Sequence, residues 1–126
     1  MQTEPILTSN APLPIGPYSQ AVAVGNLVFV SGQIPLDPAT GAVVGATIVE
    51  QARQALRNLL AVLAAQSLDA NALVKTTVFI RSMADFSAFN AVYAEELGNA
   101  KPARSVVEVS ALPKNVLVEI EGIACR

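Results

Sequence analysis

Apolar and polar residues alternate along several short stretches of the chain, and each such stretch predicts a β-strand. Ala21 to Val24 and Leu27 to Gln33 flank the dipeptide Gly25-Asn26, which is typical of a β-hairpin, although Gly-Asn is a weaker turn signal than Asn-Gly. A third stretch is rich in β-branched residues, and two more lie near the C-terminus. These further predicted strands are Leu73 to Ile80, Ala103 to Val109 and Val116 to Ala124.

Two other segments carry apolar residues at the three- to four-residue spacing of a helix. Thr47 and Glu50 match a capping box at the start of the first, which runs through about Gln66. Asp85 is predicted to cap the second helix, and Gly98 to end it. The apolar positions are Ala52, Ala55, Leu56, Leu59, Val62 and Leu63 in the first helix, and Phe86, Phe89, Tyr93 and Leu97 in the second.

The order ββ-α-β-α-ββ predicts an α+β domain, in which two helices cover one face of a mostly antiparallel sheet. Before it, an irregular arm rich in proline reaches Gly16-Pro17 and includes one short strand. The last predicted strand indicates what the other sheet face contacts. Its residues point alternately to the two faces: Val116, Val118 and Ile120 to one, and Leu117, Glu119, Glu121 and Ile123 to the other. A face that mixes apolar side chains with two carboxylates favours a contact with further subunits.

Composition agrees with one domain, residues 1–126, that buries part of its surface in a homo-oligomer. Apolar residues make up 52% of the chain and charged residues 14%, against about 25% charged in an average soluble domain. A small domain cannot cover that much apolar surface alone, so the excess favours an interface between copies. The longest apolar run, Leu59 to Ala65, is far short of the roughly 18 residues that span a bilayer, and no membrane partner is expected.

The residues that are absent narrow the chemistry. The chain has no histidine, which excludes Ser-His-Asp and Cys-His catalysis and the common zinc sites, so no metal is predicted. It also has no glycine-rich phosphate loop. A net charge of −2 and scattered basic residues argue against nucleic acid as a partner. The start, Met1 to Pro5, lacks the features of a signal peptide, and Cys125 is the one cysteine; a cytoplasmic location is the expectation.

Arg104 is the first candidate for a binding residue, since it lies in an apolar strand of a chain with only 8 Lys and Arg residues. Its guanidinium presents a fork of donors that matches a carboxylate. The competing interpretation is a structural ion pair with Glu108 or Glu119. On the binding interpretation, Glu119 or Glu121 supplies an acid for proton chemistry beside the bound carboxylate.

Four sequence blocks in this order resemble the RidA family, also called YjgF-type proteins. The resemblance extends from Asn10 to Ala124. The blocks are Ile15-Gly16-Pro17-Tyr18-Ser19-Gln20-Ala21, Ser31-Gly32-Gln33-Ile34-Pro35, Pro102-Ala103-Arg104-Ser105, and Leu112-Pro113-Lys114 followed by Glu119-Ile120-Glu121.

The resemblance implies a chorismate-mutase-like fold assembled as a homotrimer, with sites between subunits. It implies a 2-iminobutanoate/2-iminopropanoate deaminase that hydrolyses reactive imines and enamines to 2-oxo acids and ammonia without a cofactor. In that family Arg104 would hold the substrate carboxylate, the main-chain carbonyl of Val106 would meet the imine nitrogen, and Glu119 would position water. Further pocket positions fall on Tyr18, Ser31, Gly32, Phe86 and Asn90.

Each of these residues also has a purely structural interpretation. Tyr18 on its turn favours pocket lining or proton donation over simple packing, whereas Ser31 and Asn90 are types that often bond nearby backbone. Core packing is the simpler role for Phe86, and Gly32 indicates a bulge or a close approach to ligand.

Two departures from the family and three other functions stay open at this stage. Val106 stands where many members have cysteine, and Gly98 to Lys101 makes a short connection. The other functions are a small-carboxylate sensor on the same fold, a role with RNA, and a general chaperone.

Overall fold

The computed structural model describes residues 2–126, and Met1 of the predicted N-terminal arm lies outside them. Six strands form one sheet, and two helices pack on it. In chain order the elements are β1 Thr3–Ile6, β2 Ala21–Val24, β3 Leu27–Gln33, α1 Ile48–Ala64, β4 Leu73–Ile80, α2 Phe86–Leu97, β5 Ala103–Glu108 and β6 Val118–Cys125.

The sheet order is β1-β2-β3-β6-β4-β5. Every neighbouring pair is antiparallel except β4 and β5, which run parallel. The C-terminal strand β6 is therefore central and joins the N-terminal hairpin to the βαβ unit of β4, α2 and β5. The register aligns Glu119 of β6 with Phe79 of β4, and Arg104 of edge strand β5 with Thr76 of β4.

The predicted capping box at the start of α1 is present. Thr47 Oγ1 accepts from the Glu50 amide, and a Glu50 carboxylate oxygen accepts from the Thr47 amide, both at 3.3 Å. The prediction that the Asp85 side chain caps α2 is wrong: Asp85 precedes α2 but makes no capping hydrogen bond. A 3₁₀ turn, Met83–Asp85, comes before the helix, and Ser82 caps that turn instead, through a hydrogen bond from the Ala84 amide.

Both helices cover the same face of the sheet, as predicted. The core between the layers is made of aliphatic side chains from α1 and the sheet, together with Phe89 of α2. In β6, Val118, Ile120 and Ala124 are buried in this core, whereas Glu119 and Glu121 point to the face without helices. No helix in residues 2–126 combines the length and the hydropathy that a membrane span requires.

Candidate functional site

A cleft of about 760 Å³ opens where the N-terminal arm, β3 and β6 meet. Four of the residues predicted for the site line it: Tyr18, Ser31, Gly32 and Glu119. The cleft also has charged walls, because Glu121 and Lys114 line it together with Glu119. We call this space the Glu119 cleft.

Glu119 lies against the backbone of Gly32. A Cβ built on Gly32 would lie 2.8 Å from Cδ of Glu119, so only a glycine leaves room for the carboxylate in its observed position. The register between β3 and β6 shifts in this stretch, between Val30 and Gln33, which confirms the irregularity expected at Gly32. Burial raises the pKa of the Glu119 carboxyl above its usual range, and the nearby charge of Glu121 raises it further.

Gly32→Ala is expected to displace that carboxylate without unfolding the protein. The atom that the new methyl group meets is the far end of a flexible side chain, so the stability cost is small, under about 1 kcal/mol. On the water-positioning role that the resemblance implies for Glu119, turnover is expected to fall about tenfold, because a displacement of about 1 Å in a reacting group is costly. The measurements are kcat and the unfolding temperature. In a Glu119→Ala background, Gly32→Ala should lower kcat no further. A further decrease in kcat there would show that Gly32 affects turnover independently of Glu119.

Tyr18 and Ser31 face this cleft in different ways. The Tyr18 ring is half exposed at 50%, on a tight turn in which its amide donates to the Gly16 carbonyl, and its hydroxyl makes no hydrogen bond within residues 2–126. The Ser31 hydroxyl donates to the Ser19 carbonyl at 2.6 Å, a backbone bond of the kind that serine often forms. Ser31 therefore offers a ligand only its remaining acceptor capacity, whereas the Tyr18 hydroxyl is free to donate.

Arg104 lies elsewhere, between β5 and α2. Its Nη1 donates to Asn90 Oδ1 at 2.7 Å, and its guanidinium carbon lies 4.7 Å from the ring centroid of Tyr93 and 5.7 Å from that of Phe86. A pocket of about 430 Å³ adjoins it. The lining is Tyr93, Ala94, Leu97, Gly98, Ala100, Lys101, Pro102 and Arg104, so the short connection noted in the sequence forms one wall. We call this space the Arg104 pocket.

Within residues 2–126 Arg104 has no ion pair, and the alternative of a structural bridge to Glu108 or Glu119 is not observed. The ion pairs join Arg53 and Arg57 of α1 to Glu95 and Glu96 of α2. Arg104 thus keeps an uncompensated positive charge, with part of its donor fork unused. An anion is the chemical complement of such a group.

The backbone beside Arg104 adds an acceptor. The Val109 amide donates to the Ile80 carbonyl of β4 at 2.9 Å. In a strand the N–H and C=O of one residue point to the same side, and those of the next residue point to the opposite side. Ser105 and Val107 therefore direct their backbone groups to β4, and Arg104 and Val106 direct theirs to the open edge of the sheet. The Val106 carbonyl is available to a ligand whatever the side chain at that position.

Arg104 and Glu119 lie on opposite faces of the sheet. The Arg104 side chain packs on α2, on the helical face, whereas Glu119 points to the face without helices, and β4 separates their strands. The predicted site residues therefore form two groups in one chain: Tyr18, Ser31, Gly32 and Glu119 in the first, and Phe86, Asn90, Arg104 and Val106 in the second.

Three buried amide side chains, whose role the sequence pattern does not indicate, bind main-chain segments in or next to the walls of the Glu119 cleft. Gln20 accepts from the Thr8 amide and donates to carbonyls of the N-terminal arm. Gln51 of α1 donates to the Gly45 carbonyl and accepts from the Leu117 amide. Asn58 of α1 donates to the carbonyls of Ile34 and Leu36 at 3.1 and 3.0 Å. Polar residues among the apolar positions of α1 are the signal that would have found the last two.

No group of three or more His, Cys, Asp or Glu side chains that could hold a metal ion occurs in the described part of the chain. The groups available for chemistry are the carboxylate of raised pKa, the Tyr18 hydroxyl, the free guanidinium and the open carbonyl.

Comparisons with known proteins agree on one family. Residues 8–126 match the family model described as Endoribonuclease L-PSP. A RutC family protein from Pyrococcus horikoshii is 54% identical, with 98% of each chain covered. A 2-iminobutanoate/2-iminopropanoate deaminase from Salmonella typhimurium is 50% identical, with 96% of each covered. A solved structure of a Rid-family protein of unknown function from Yersinia pestis superposes with a TM-score of 0.96 at 47% identity, covering 99% of this chain and 100% of that one.

Proposed function

Because this chain belongs to the L-PSP family, which includes the Rid proteins, we propose that it hydrolyses small 2-imino acids to 2-oxo acids and ammonia. The observation that carries the proposal is the unpaired Arg104 guanidinium beside the open Val106 carbonyl. Together these groups fit a carboxylate and an adjacent imine N–H, which are the two polar ends of a 2-imino acid.

The substrate carboxylate binds the free N–H groups of Arg104, and the imine N–H donates to the Val106 carbonyl. Glu119, ionised, accepts a proton from a water molecule while the water oxygen forms a bond to C2. The nitrogen takes up the proton that Glu119 has accepted, so that C2 carries a hydroxyl and an amino group and Glu119 is ionised again. The C2–N bond then breaks as the nitrogen gains a proton from the Tyr18 hydroxyl and leaves as ammonia, while the C2 hydroxyl gives its proton to Glu119 and C2 becomes the carbonyl of the 2-oxo acid. The proton on Glu119 then returns to Tyr18 through water, which restores both groups.

The site requires two copies of the chain, because Arg104 and Glu119 lie on opposite faces of one sheet. A homo-oligomer in which the Arg104 pocket of one copy faces the Glu119 cleft of the next completes it. A trimer with three such sites is the assembly we propose. The exposed apolar side chains on the face without helices, among them Phe29 at 42%, support burial of that face between copies.

The test of the activity is a coupled assay. A pyridoxal-phosphate dehydratase generates 2-iminobutanoate, and semicarbazide traps the imine that the protein leaves unhydrolysed. We expect the wild type to lower the trapped fraction. If several imines are unaffected while 2-oxo acids still bind, the protein is a carboxylate sensor. Salt-sensitive RNA binding or cleavage, which the family description makes worth testing, would replace the proposal if imines are unaffected.

Mixed oligomers test the shared site. Arg104→Ala and Glu119→Ala chains, each inactive alone, are unfolded together and refolded as a mixture. Some interfaces then pair an intact Arg104 pocket with an intact Glu119 cleft, and for random trimers about a quarter of the interfaces do so. We expect activity to return to about that fraction of the wild-type value. A mixture as inactive as its components would contradict a site shared between chains.

A further inference from the structure

The Arg104 guanidinium packs on the ring of a buried tyrosine, Tyr93. The guanidinium carbon is 4.7 Å from the ring centroid of Tyr93, within the range of a cation–π contact. Tyr93 is buried, and its hydroxyl is 2.7 Å from the buried hydroxyl of Thr76. Thr76 lies on β4 directly beside Arg104 in the register of β4 and β5. Arg104 of β5, Thr76 of β4 and the Tyr93 ring of α2 therefore form one cluster of neighbouring side chains.

This support differs from the usual one for a buried or half-buried arginine, which is a carboxylate. A carboxylate under Arg104 would fix the side chain but would also neutralise it and compete with an anionic ligand. The electron-rich face of an aromatic ring attracts the cation without occupying its in-plane N–H donors. One N–H of Arg104 donates to the side-chain oxygen of Asn90, which is a neutral amide. The other N–H groups in the guanidinium plane make no hydrogen bond within residues 2–126.

We infer that Tyr93, held by Thr76, is the positioning residue that fixes Arg104 without supplying a counter-ion, so that the guanidinium binds monoanionic carboxylates. The inference rests on the proposed function only in taking a small carboxylate as the ligand of Arg104. The Tyr93 hydroxyl is bonded to Thr76, so the part of Tyr93 that acts on Arg104 is its ring. Its effect reaches the ligand through the orientation of the guanidinium, and therefore concerns affinity for the carboxylate more than the chemical step at C2.

The test compares Tyr93→Leu with Tyr93→Phe, and uses Phe89→Leu as the matched control. Phe89 is the neighbouring aromatic of α2, 5.6 Å from the Tyr93 ring between centroids, and is fully buried in the core. Binding of 2-oxobutanoate is measured by calorimetry, and KM and kcat are measured in the imine assay. Loss of the ring is expected to weaken 2-oxobutanoate binding about tenfold and to raise KM similarly, with kcat within about twofold. Tyr93→Phe, which keeps the ring, should stay within about threefold of wild type.

Phe89→Leu should lower the unfolding temperature yet leave KM unchanged. If Tyr93→Leu behaves like Phe89→Leu, Tyr93 is only a core residue and the inference is wrong. If the wild type binds 2-oxobutanoate but hydrolyses no imine, the proposed function fails, while calorimetry on the variants still decides the role of Tyr93. If the wild type binds no 2-oxo acid, Arg104 is not a carboxylate receptor, and both fail.

Discussion

Arg104→Lys is expected to lower kcat/KM for imine hydrolysis by about 10²- to 10³-fold while the protein stays folded. Lysine keeps the charge but lacks the fork that binds a carboxylate through two N–H groups. Two charge-assisted hydrogen bonds at about 1.5–2 kcal/mol each account for a loss of that size. Stability should change little, because Arg104 has no ion pair within residues 2–126 to break.

Steady-state kinetics of purified Arg104→Lys and Arg104→Ala, with thermal unfolding curves, test this expectation. Arg57→Lys is the matched control: Arg57 is exposed on α1 and pairs with Glu96 at 3.1 Å. That substitution should leave activity within about twofold of wild type, since exposed ion pairs contribute little. An Arg104→Lys protein with normal kcat/KM would remove the carboxylate anchor from the mechanism.

Glu119→Gln is expected to reduce kcat by at least about 10²-fold, the usual contribution of a positioned general base. The amide has nearly the shape of the carboxylate, so the cleft and the contact with Gly32 are retained while the basic oxygen is lost. Wild-type activity should rise with pH through the pKa of Glu119, since only the ionised form accepts a proton from water. That pKa is raised by burial and by the charge of Glu121, so the rise lies above the usual range of a glutamate.

The contribution of Glu119 to the free energy of unfolding falls as the pH rises, whereas the activity rises. The pKa of Glu119 is higher in the folded than in the unfolded chain, so its stabilising contribution is present at pH values below the unfolded pKa. That contribution is lost as the pH rises through the folded pKa. Glu119→Gln should therefore unfold at a higher temperature than wild type at pH 7, and the difference should vanish in acid. A variant that is both inactive and less stable at pH 7 would indicate a structural role instead.

Glu121→Gln separates the two acids of the Glu119 cleft. Removing the charge at 121 lowers the pKa of Glu119, so the activity of this variant should rise at lower pH than that of wild type. Most of kcat should remain. If Glu121→Gln abolishes turnover and Glu119→Gln does not, the assignment of the base must be exchanged.

Most elements of the fold could be predicted because their signals are local. The hairpin strands β2 and β3 and the strand β4 have the predicted bounds, and the capping box of α1 is present as expected. The N-terminal boundary of β6 was predicted two residues early, because Val116 continues the apolar alternation but ends a 3₁₀ turn, Pro113–Asn115. At α2 the sequence favoured Asp85 as the cap, but the chain first forms a turn that Ser82 caps, and two competing caps within four residues are not separable by residue type alone.

The two halves of the candidate site could be only partly predicted. Residue type and strand position indicate Arg104 and the two acids, and the resemblance adds Tyr18, Ser31, Gly32, Phe86, Asn90 and Val106. The separation of these residues onto opposite faces depends instead on the sheet order, which places β4 between β6 and β5. Neither Tyr93 nor Thr76 has a distinguishing pattern, since a tyrosine and a threonine at apolar positions are ordinary core residues. Their contact with each other and with Arg104 depends on tertiary packing.

Three buried amides bind main-chain segments around the Glu119 cleft, and this affects which cleft residues can change in evolution. In the segments that they hold, Gln20, Gln51 and Asn58 bind main-chain groups. The side-chain partner of Asn58, Gln54, lies on its own helix α1. The main-chain bonds place no demand on the side chains of the wall segments, so a position such as Leu13 or Ile34 can change in size and polarity while the backbone around it keeps its course. Specificity can drift at such positions at little cost in stability, and new substrate ranges can arise on an unchanged framework.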